Sequence, residues 1–167
     1  MGGRDHAAPR SRRHRYDRHE WDQWKGRPTI AVRVTDGAGQ TAVDTATVNV
    51  IWRFEGFVKL REPPAENPGK GGAVVIIKFM LGGDQGLGVL AAGYPRSIQY
   101  TCGAAIRPTD AVEPTIPTPN GGLSYSAATQ TYTYRWQTQA SWSNTCRRFV
   151  LKLGDGTFHY VDIKFKK

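Results

Sequence analysis

Long apolar runs and helix-period patterns are what this sequence lacks. No stretch approaches the roughly 18 consecutive apolar residues of a membrane-spanning helix, so we expect no transmembrane segment. Hydrophobic residues make up 39% of the chain, which is low for a compact enzyme. Glycine (19 residues) and proline (10 residues) are plentiful instead. Together with frequent Thr and Val, they favour short strands joined by turns.

Signatures of catalysis and of cofactor binding are also missing. The glycines within residues 82–88 lack the G-x-G-x-x-G spacing of a dinucleotide loop, and we interpret them as turn residues. No G-x-S-x-G elbow exists, although a Ser-His-Asp triad built on His159 stays open at this stage. The carboxylates outside the N-terminal segment that glycosidase chemistry would use are scattered among turns and strand ends: Asp84, Asp110, Glu113, Asp155 and Asp162. We therefore predict a non-enzymatic protein with no cofactor and no metal site.

Basic residues outnumber acidic ones. The chain has 23 Lys and Arg against 14 Asp and Glu, a formal net charge of +9. Residues 1–27 hold eight basic and four acidic residues, so they carry +4 (8 − 4) and the other 140 residues carry +5. Such an excess attracts anionic partners such as nucleic acid, cell-wall polymers or lipid headgroups. Because no basic helix or aromatic-basic RNA motif accompanies the charge, we favour an ordinary positive surface.

The N-terminal segment, residues 1–27, differs from the rest of the chain. It mixes charges of both signs with His and Trp and shows no apolar period, so we predict a disordered basic tail. The same composition is also typical of non-native coding sequence. The alternative is a nucleic-acid-binding arm, in which Arg12, Arg13, Arg15 and Arg18 would contact phosphates. Nucleic acid is not the partner that we expect.

Residues 28–52 predict a β-hairpin. Ile30, Val32 and Val34 alternate with Ala31, Arg33 and Thr35, a turn follows at residues 36–40, and a second alternating run extends from 42 to 50. A lone hairpin is marginally stable in water. The run VRVTDGAGQTAVDTATVNV resembles the last two strands of bacterial Ig-like repeats of the polycystic-kidney-disease or hyalin-repeat type. The resemblance implies a truncated Ig-like unit, with neighbouring Ig-like domains of a longer chain as partners.

The pattern of the remaining residues predicts strands joined by turns and loops. Residues 73–81 form a nearly continuous apolar run, which predicts a buried central strand. Proline-rich stretches at 63–69 and 103–122 predict loops. Further strands are predicted at 97–102, 123–125, 131–136, 146–153 and 157–165. The pattern predicts an all-β fold, a two-sheet sandwich of about seven to nine strands.

The chain has two cysteines, Cys102 and Cys146. Cys102 ends one predicted strand and Cys146 opens another, and their 44-residue separation does not suit a C-x-x-C metal or redox motif. We predict a structural disulfide, which would place the folded protein in an oxidising compartment. Two buried free thiols are the alternative.

Aromatic residues form a stripe on one predicted strand. Tyr132, Tyr134 and Trp136 share one face, and Trp142 follows nearby. The alternation with small polar residues favours a place in the sandwich core. The alternative is an exposed platform on which sugar rings stack.

About two-thirds of the chain resembles a known bacterial extracellular domain named for its P-x-K-F motif. The matching pieces are FEGF, IIKFMLGGDQGLGVLAAGYPRS, LSYSAATQTYTYRWQT and SWSNTCRRFVLKLGDGTFHY, in that order. Ile76 replaces the naming proline, while Lys78 and Phe79 remain. The resemblance implies an Ig-like sandwich over residues 53–167 in a secreted or cell-surface protein. It carries no activity or binding residues over to this chain and leaves the function open. We predict a non-catalytic structural or terminal module, and the alternative is an accessory module that holds a parent enzyme on cell-wall polysaccharide.

Overall fold

The computed structural model describes residues 29–104, 113–119 and 121–167. The predicted tail therefore lies outside the described residues. Twelve strands and one 3-10 helix, Ala140–Trp142, occur in the described part. The strands are β1 (Thr29–Thr35), β2 (Thr41–Thr47), β3 (Gly56–Phe57), β4 (Glu66–Lys70), β5 (Val74–Met80), β6 (Arg96–Tyr100), β7 (Glu113–Pro114), β8 (Ile116–Pro117), β9 (Ser124–Ser126), β10 (Thr131–Gln137), β11 (Cys146–Lys152) and β12 (Phe158–Lys166).

Strands β3 to β12 form a two-sheet sandwich, which confirms the predicted all-β fold. The front sheet has the order β3-β5-β10, and β9 and β8 pair with successive parts of β10. The back sheet has the order β4-β12-β11-β6-β7. The described sandwich thus has ten strands rather than seven to nine. Three of them, β3, β7 and β8, have two residues each, which is too short for alternation to reveal them.

The core lies between the two sheets. Alternation along each strand directs every second side chain inward. Trp136 of the front sheet has its ring centroid 5.3 Å from that of Phe149 and 6.1 Å from that of Phe165, both on the back sheet. Aromatic rings therefore join the layers, each burying a large apolar area. The other fully or almost fully buried members include Ile77, Phe79, Tyr132, Leu151, Val161 and Ile163.

Strand β5 is central, as predicted, but it is buried on one face only. Ile77 and Phe79 are fully buried, whereas Val74 is 42% and Ile76 is 46% exposed. The apolar run of residues 73–81 suggested burial on both faces. The outer face of the front sheet instead carries these β-branched residues beside the exposed Arg135, which lies directly opposite Ile76.

The prediction that residues 63–69 form only a loop is wrong, because they contain most of strand β4. This strand pairs in parallel with β12, with Glu66 opposite Asp162. The buried Asn67 anchors the strand, since its side-chain amide donates to the backbone oxygens of Arg61 (2.7 Å) and Asp162 (3.1 Å). Pro68 is tolerated because β4 is an edge strand. Pairing with a partner about 95 residues away leaves no local pattern in the sequence.

Gly69 gives the first test of this packing. A Cβ atom there would lie 2.6 Å from Ile163 Cγ2 and 3.1 Å from the Phe165 ring. We expect Gly69→Ala to lower the free energy of unfolding by about 1–3 kcal/mol, because the core would be overpacked. Gly88→Ala is the matched control, since a Cβ there meets nothing within 4 Å, and it should change stability by less than about 0.5 kcal/mol. Denaturant titration measures both. Equal effects would contradict the packing argument.

The proline-rich loop at 103–122 is likewise only partly a loop. Residues 113–117 cross from the back sheet to the front sheet, since β7 pairs with β6 and β8 pairs with β10. Thr115, between the two strands, donates its hydroxyl to the Pro95 carbonyl (2.9 Å) and lies 2.8 Å from the Tyr134 hydroxyl. The crossing therefore closes one edge of the sandwich.

The predicted hairpin is confirmed as β1 and β2, paired antiparallel from Thr29 opposite Thr47 to Thr35 opposite Thr41. Asp36 shapes its turn, because its carboxylate accepts the N–H groups of Ala38 and Gln40. Every residue of both strands is exposed. The hairpin therefore has an unburied apolar face, formed by Ile30, Val32 and Val34, which are 48%, 58% and 63% exposed.

Candidate functional site

The two cysteines form the predicted disulfide. Cys102 and Cys146 are bonded, with a Cα–Cα distance of 5.2 Å. Cys146 opens β11 and lies opposite Tyr100, near the end of the neighbouring strand β6. It is fully buried. The bridge thus fastens the chain that leaves β6 to the strand beside it.

The aromatic stripe belongs to the core, and the interpretation as an exposed sugar platform is wrong. Tyr132 and Trp136 are 0% exposed, Tyr134 is 4% and Trp142 is 9% exposed. The Tyr132 hydroxyl accepts the Gln85 N–H at 2.6 Å, and burial raises the pKa of Tyr132 to about 12. These faces are covered by the opposite sheet. No sugar ring can stack on them in the folded protein.

A second group of residues, Asp155, Thr157 and His159, tests the triad that the sequence left open. In such a triad the imidazole lies between the carboxylate and the hydroxyl. Here the Thr157 hydroxyl is in the middle, 2.7 Å from Asp155 Oδ1 and 3.3 Å from His159 Nε2. The Asp155 carboxylate also accepts the N–H of Trp52 at 2.7 Å. The group therefore closes a turn and anchors the start of the sandwich, and it has the wrong order for nucleophilic catalysis.

His159 makes the stability of the protein sensitive to pH. Burial lowers its pKa below the ordinary 6.5, while Asp155 acts in the opposite direction. The unfolded chain therefore takes up this proton at a higher pH than the folded chain, and the free energy of unfolding falls as the pH drops below about 6.5. The ring stacks on Phe54 at a centroid distance of 3.5 Å. We expect His159→Phe, which keeps a ring there, to lose less stability between about pH 7.5 and about pH 5.5 than the wild type. Denaturant titrations at both pH values measure this, and equal losses would contradict it.

The scattered carboxylates have structural partners. Asp162 pairs with Arg148 at 2.8 Å, Glu113 pairs with Arg147, and Asp84 accepts the N–H of Gly86 at 2.9 Å. Asp110 lies outside the described residues. The structure thus gives these groups roles in holding strands and turns.

Aromatic and basic side chains come together elsewhere, on the outer face of the back sheet, where Phe158 is exposed and its neighbours are partly buried. Because Val161 and Ile163 of β12 point inward, Phe158 and Tyr160 point outward. Lys152 of β11 lies directly opposite Phe158. We call this patch the ring–cation surface. It comprises Tyr94, Arg96, Lys152, Phe158 and Tyr160.

The geometry of this surface interleaves cations with rings. Lys152 Nζ lies 4.8 Å from the centroid of the Phe158 ring and 5.6 Å from that of Tyr94. Arg96 Cζ lies 5.5 Å from the Tyr94 centroid. These distances suit cation–π attraction. Among the described residues, neither Lys152 nor Arg96 has a carboxylate partner within ion-pair distance.

The two outer rings meet at a corner. Tyr94 and Phe158 have centroids 6.1 Å apart and planes inclined at 83°. Phe158 is 42% exposed, which makes it one of the large hydrophobic side chains that the described sandwich leaves in solvent. The corner therefore offers a partly exposed ring with a positive charge over one of its faces.

A groove of about 310 Å³ adjoins the surface at Tyr94. Its volume is at the lower end of the range for small-molecule sites. Three prolines line it and fix the local backbone. The lining residues are Leu90, Gly93, Tyr94, Pro95, Pro114, Thr115, Pro117 and Tyr134.

Sequence reasoning missed the ring–cation surface, although one signal pointed to it. The alternation in the strand at 157–165 puts Phe158 and Tyr160 on the face opposite Val161 and Ile163, so two outward-pointing rings were predictable. The place of Tyr94 beside them was not. The position of Tyr94 depends on a loop without periodic apolar residues. This loop returns to the end of β11 through the pairing of Leu90 with Leu153.

Comparisons with known proteins add no relative: neither a family model, nor a curated protein, nor a solved structure matches this chain. Within the described residues, no group of three or more His, Cys, Asp or Glu side chains is placed to hold a metal ion. No helix in the part of the chain that the structure describes has the length and apolar character needed to cross a membrane.

Proposed function

We propose that this chain is a non-catalytic structural or terminal module of a secreted or cell-surface bacterial protein. The observation that carries the proposal is the disulfide between Cys102 and Cys146. Such bridges form and persist in oxidising compartments. The resemblance to the P-x-K-F domain supports the same location and an Ig-like relationship. Its neighbours in the parent chain are Ig-like domains, for which the exposed apolar face of the β1–β2 hairpin provides a contact surface.

The polar groups of the sandwich support a structural role. The carboxylate of Asp155 closes a turn, and that of Asp162 is held by Arg148 of the neighbouring strand. A module of this kind adds length and rigidity to a surface protein, and its covalent bridge keeps the fold intact outside the cell.

Location is tested in the cells that produce the protein. An antibody raised against the chain should detect it in the surface or medium fraction, and protease added to intact cells should remove the surface signal. A cytosolic protein supplies the control for cell lysis. Detection in the cytosol alone, protected from external protease, would overturn the proposal.

A second candidate function is an accessory module that binds cell-wall polysaccharide for a parent extracellular enzyme. The ring–cation surface favours it, because the Phe158 ring is 42% exposed and offers an apolar surface on which a pyranose can pack. The test is co-sedimentation of the chain with insoluble cell wall. Phe158→Ala should weaken binding, and Ile76→Ala, an exposed apolar residue on the front sheet, should not. Equal binding by the two variants would contradict a role for this surface.

A further inference from the structure

We infer that the ring–cation surface selects polysaccharides whose sugar units carry phosphate or carboxylate groups. The inference rests on the second candidate function and names its ligand class. The first argument is charge. Lys152 and Arg96 have no carboxylate partner within ion-pair distance among the described residues. Arg96 Nε donates to the Gly93 carbonyl at 3.1 Å, so what both cations lack here is a charged partner. An anionic group on the ligand would supply it, and charge-assisted hydrogen bonds are the stronger kind.

The second argument is the position of the charges relative to the rings. Lys152 Nζ lies within 6 Å of the centroids of both Phe158 and Tyr94. Because Lys152 Nζ lies over one face of the Phe158 ring, a sugar that packs on the exposed part of this ring places its substituents within reach of the ammonium group. The rings favour a sugar with a flat apolar face, and the cation favours a sugar with an anionic substituent.

The third argument is the shape of the corner, which fits a glycan better than a nucleic acid. Single-stranded nucleic acids stack successive bases on aromatic platforms and track a positively charged groove. Tyr94 and Phe158 are instead inclined at 83°, so neighbouring bases cannot stack on this pair in parallel. Tyr160 is nearly parallel to Phe158, at 12°, but Arg148 already lies over its ring at 5.1 Å. Two cations also neutralise few phosphates, whereas tight nucleic-acid binding uses many such contacts.

The groove beside Tyr94 extends the site. Its walls are mostly apolar, with Leu90, Pro114 and Pro117 among the lining residues. A substituent of an adjacent sugar unit enters here while the anionic group stays at Lys152. The full site thus spans more than one sugar unit, which suits a polymer.

The test uses the full chain and two probes: purified bacterial cell wall that bears its phosphodiester-linked anionic polymer, and the same wall after acid has removed the polymer. Co-sedimentation over a range of protein concentrations gives the affinity for each. We expect the wild type to bind the intact wall at least about tenfold more tightly, and added salt to reduce this preference. Lys152→Met, which keeps the apolar stem, should abolish the preference. Lys152→Arg should retain it.

The matched control is Lys78→Met, which removes the same charge from an exposed site on β5 of the front sheet. It should leave the preference unchanged, and thermal melting should show that all variants are folded. Equal binding of the wild type to both walls would overturn the inference while wall binding itself stands. Binding to neither wall would overturn the candidate function as well. The inference would also be overturned if Lys78→Met and Lys152→Met reduced the preference for intact wall equally. Tighter binding to single-stranded DNA than to intact wall would overturn it as well.

Discussion

Replacing both Cys102 and Cys146 by alanine is expected to lower the free energy of unfolding by about 4 kcal/mol. The bridge closes a loop with a sequence separation of 44 residues, and the chain-entropy relation assigns about 4 kcal/mol to a loop of this length. This is a large part of the roughly 5–15 kcal/mol that stabilises a typical domain. Alanine is preferred to serine because Cys146 is fully buried, and a hydroxyl there would add its own cost.

Denaturant titration of protein exported to an oxidising compartment measures this effect. Adding a reductant should destabilise the wild type by a similar amount and leave the double-alanine variant unchanged, which separates the bridge from side-chain packing. Two reactive thiols in the unfolded, unreduced wild type would contradict the disulfide. A stability loss below about 1 kcal/mol would contradict its energetic role.

Asp162→Asn is expected to lower the free energy of unfolding by about 3–5 kcal/mol. Arg148 and Asp162 lie opposite each other on β11 and β12, and two contacts join them: Nε to Oδ1 at 2.8 Å and Nη2 to Oδ2 at 3.1 Å. Asp162 is 0% and Arg148 is 6% exposed. The amide keeps the shape of the carboxylate but removes its charge, so the buried guanidinium loses the ionic attraction of Asp162.

An exposed ion pair provides the control. Arg53 Nε lies 3.3 Å from Glu55 Oε1, and the Arg53 side chain is 83% exposed. Glu55→Gln should therefore change stability by at most about 1 kcal/mol. Thermal and denaturant unfolding of both variants give the comparison. If Asp162→Asn and Glu55→Gln changed the free energy of unfolding by the same small amount, the Arg148–Asp162 pair would not stabilise the back sheet.

Local patterns predicted most of the strands but not their partners. The hairpins around residues 36–40 and 154–156 were predictable because alternation and turn chemistry act over a few residues. The short strands β7 and β8 were not, because their geometry comes from Thr115 bridging Pro95 and Tyr134. Contacts between residues far apart in the chain leave no periodic trace.

The candidate site shows the same division. The stripe at Tyr132, Tyr134 and Trp136 was recognisable from the sequence, and alternation favoured its place in the core. The competing platform interpretation could not be dismissed, because an aromatic face looks the same whether a second sheet covers it or solvent does. Only the packing of Phe149 and Phe165 against Trp136 decides it.

The sequence by itself determined the strand-rich class, the β1–β2 hairpin and which two cysteines could pair, because these depend on residue type, period and number. The tertiary structure decided which faces are buried, where the proline-rich stretches join the sheets, and that Tyr94 lies beside Lys152 and Phe158. These properties depend on distances between segments that the sequence separates by tens of residues. Such distances are set by the closing of two sheets over one core, which no local pattern encodes.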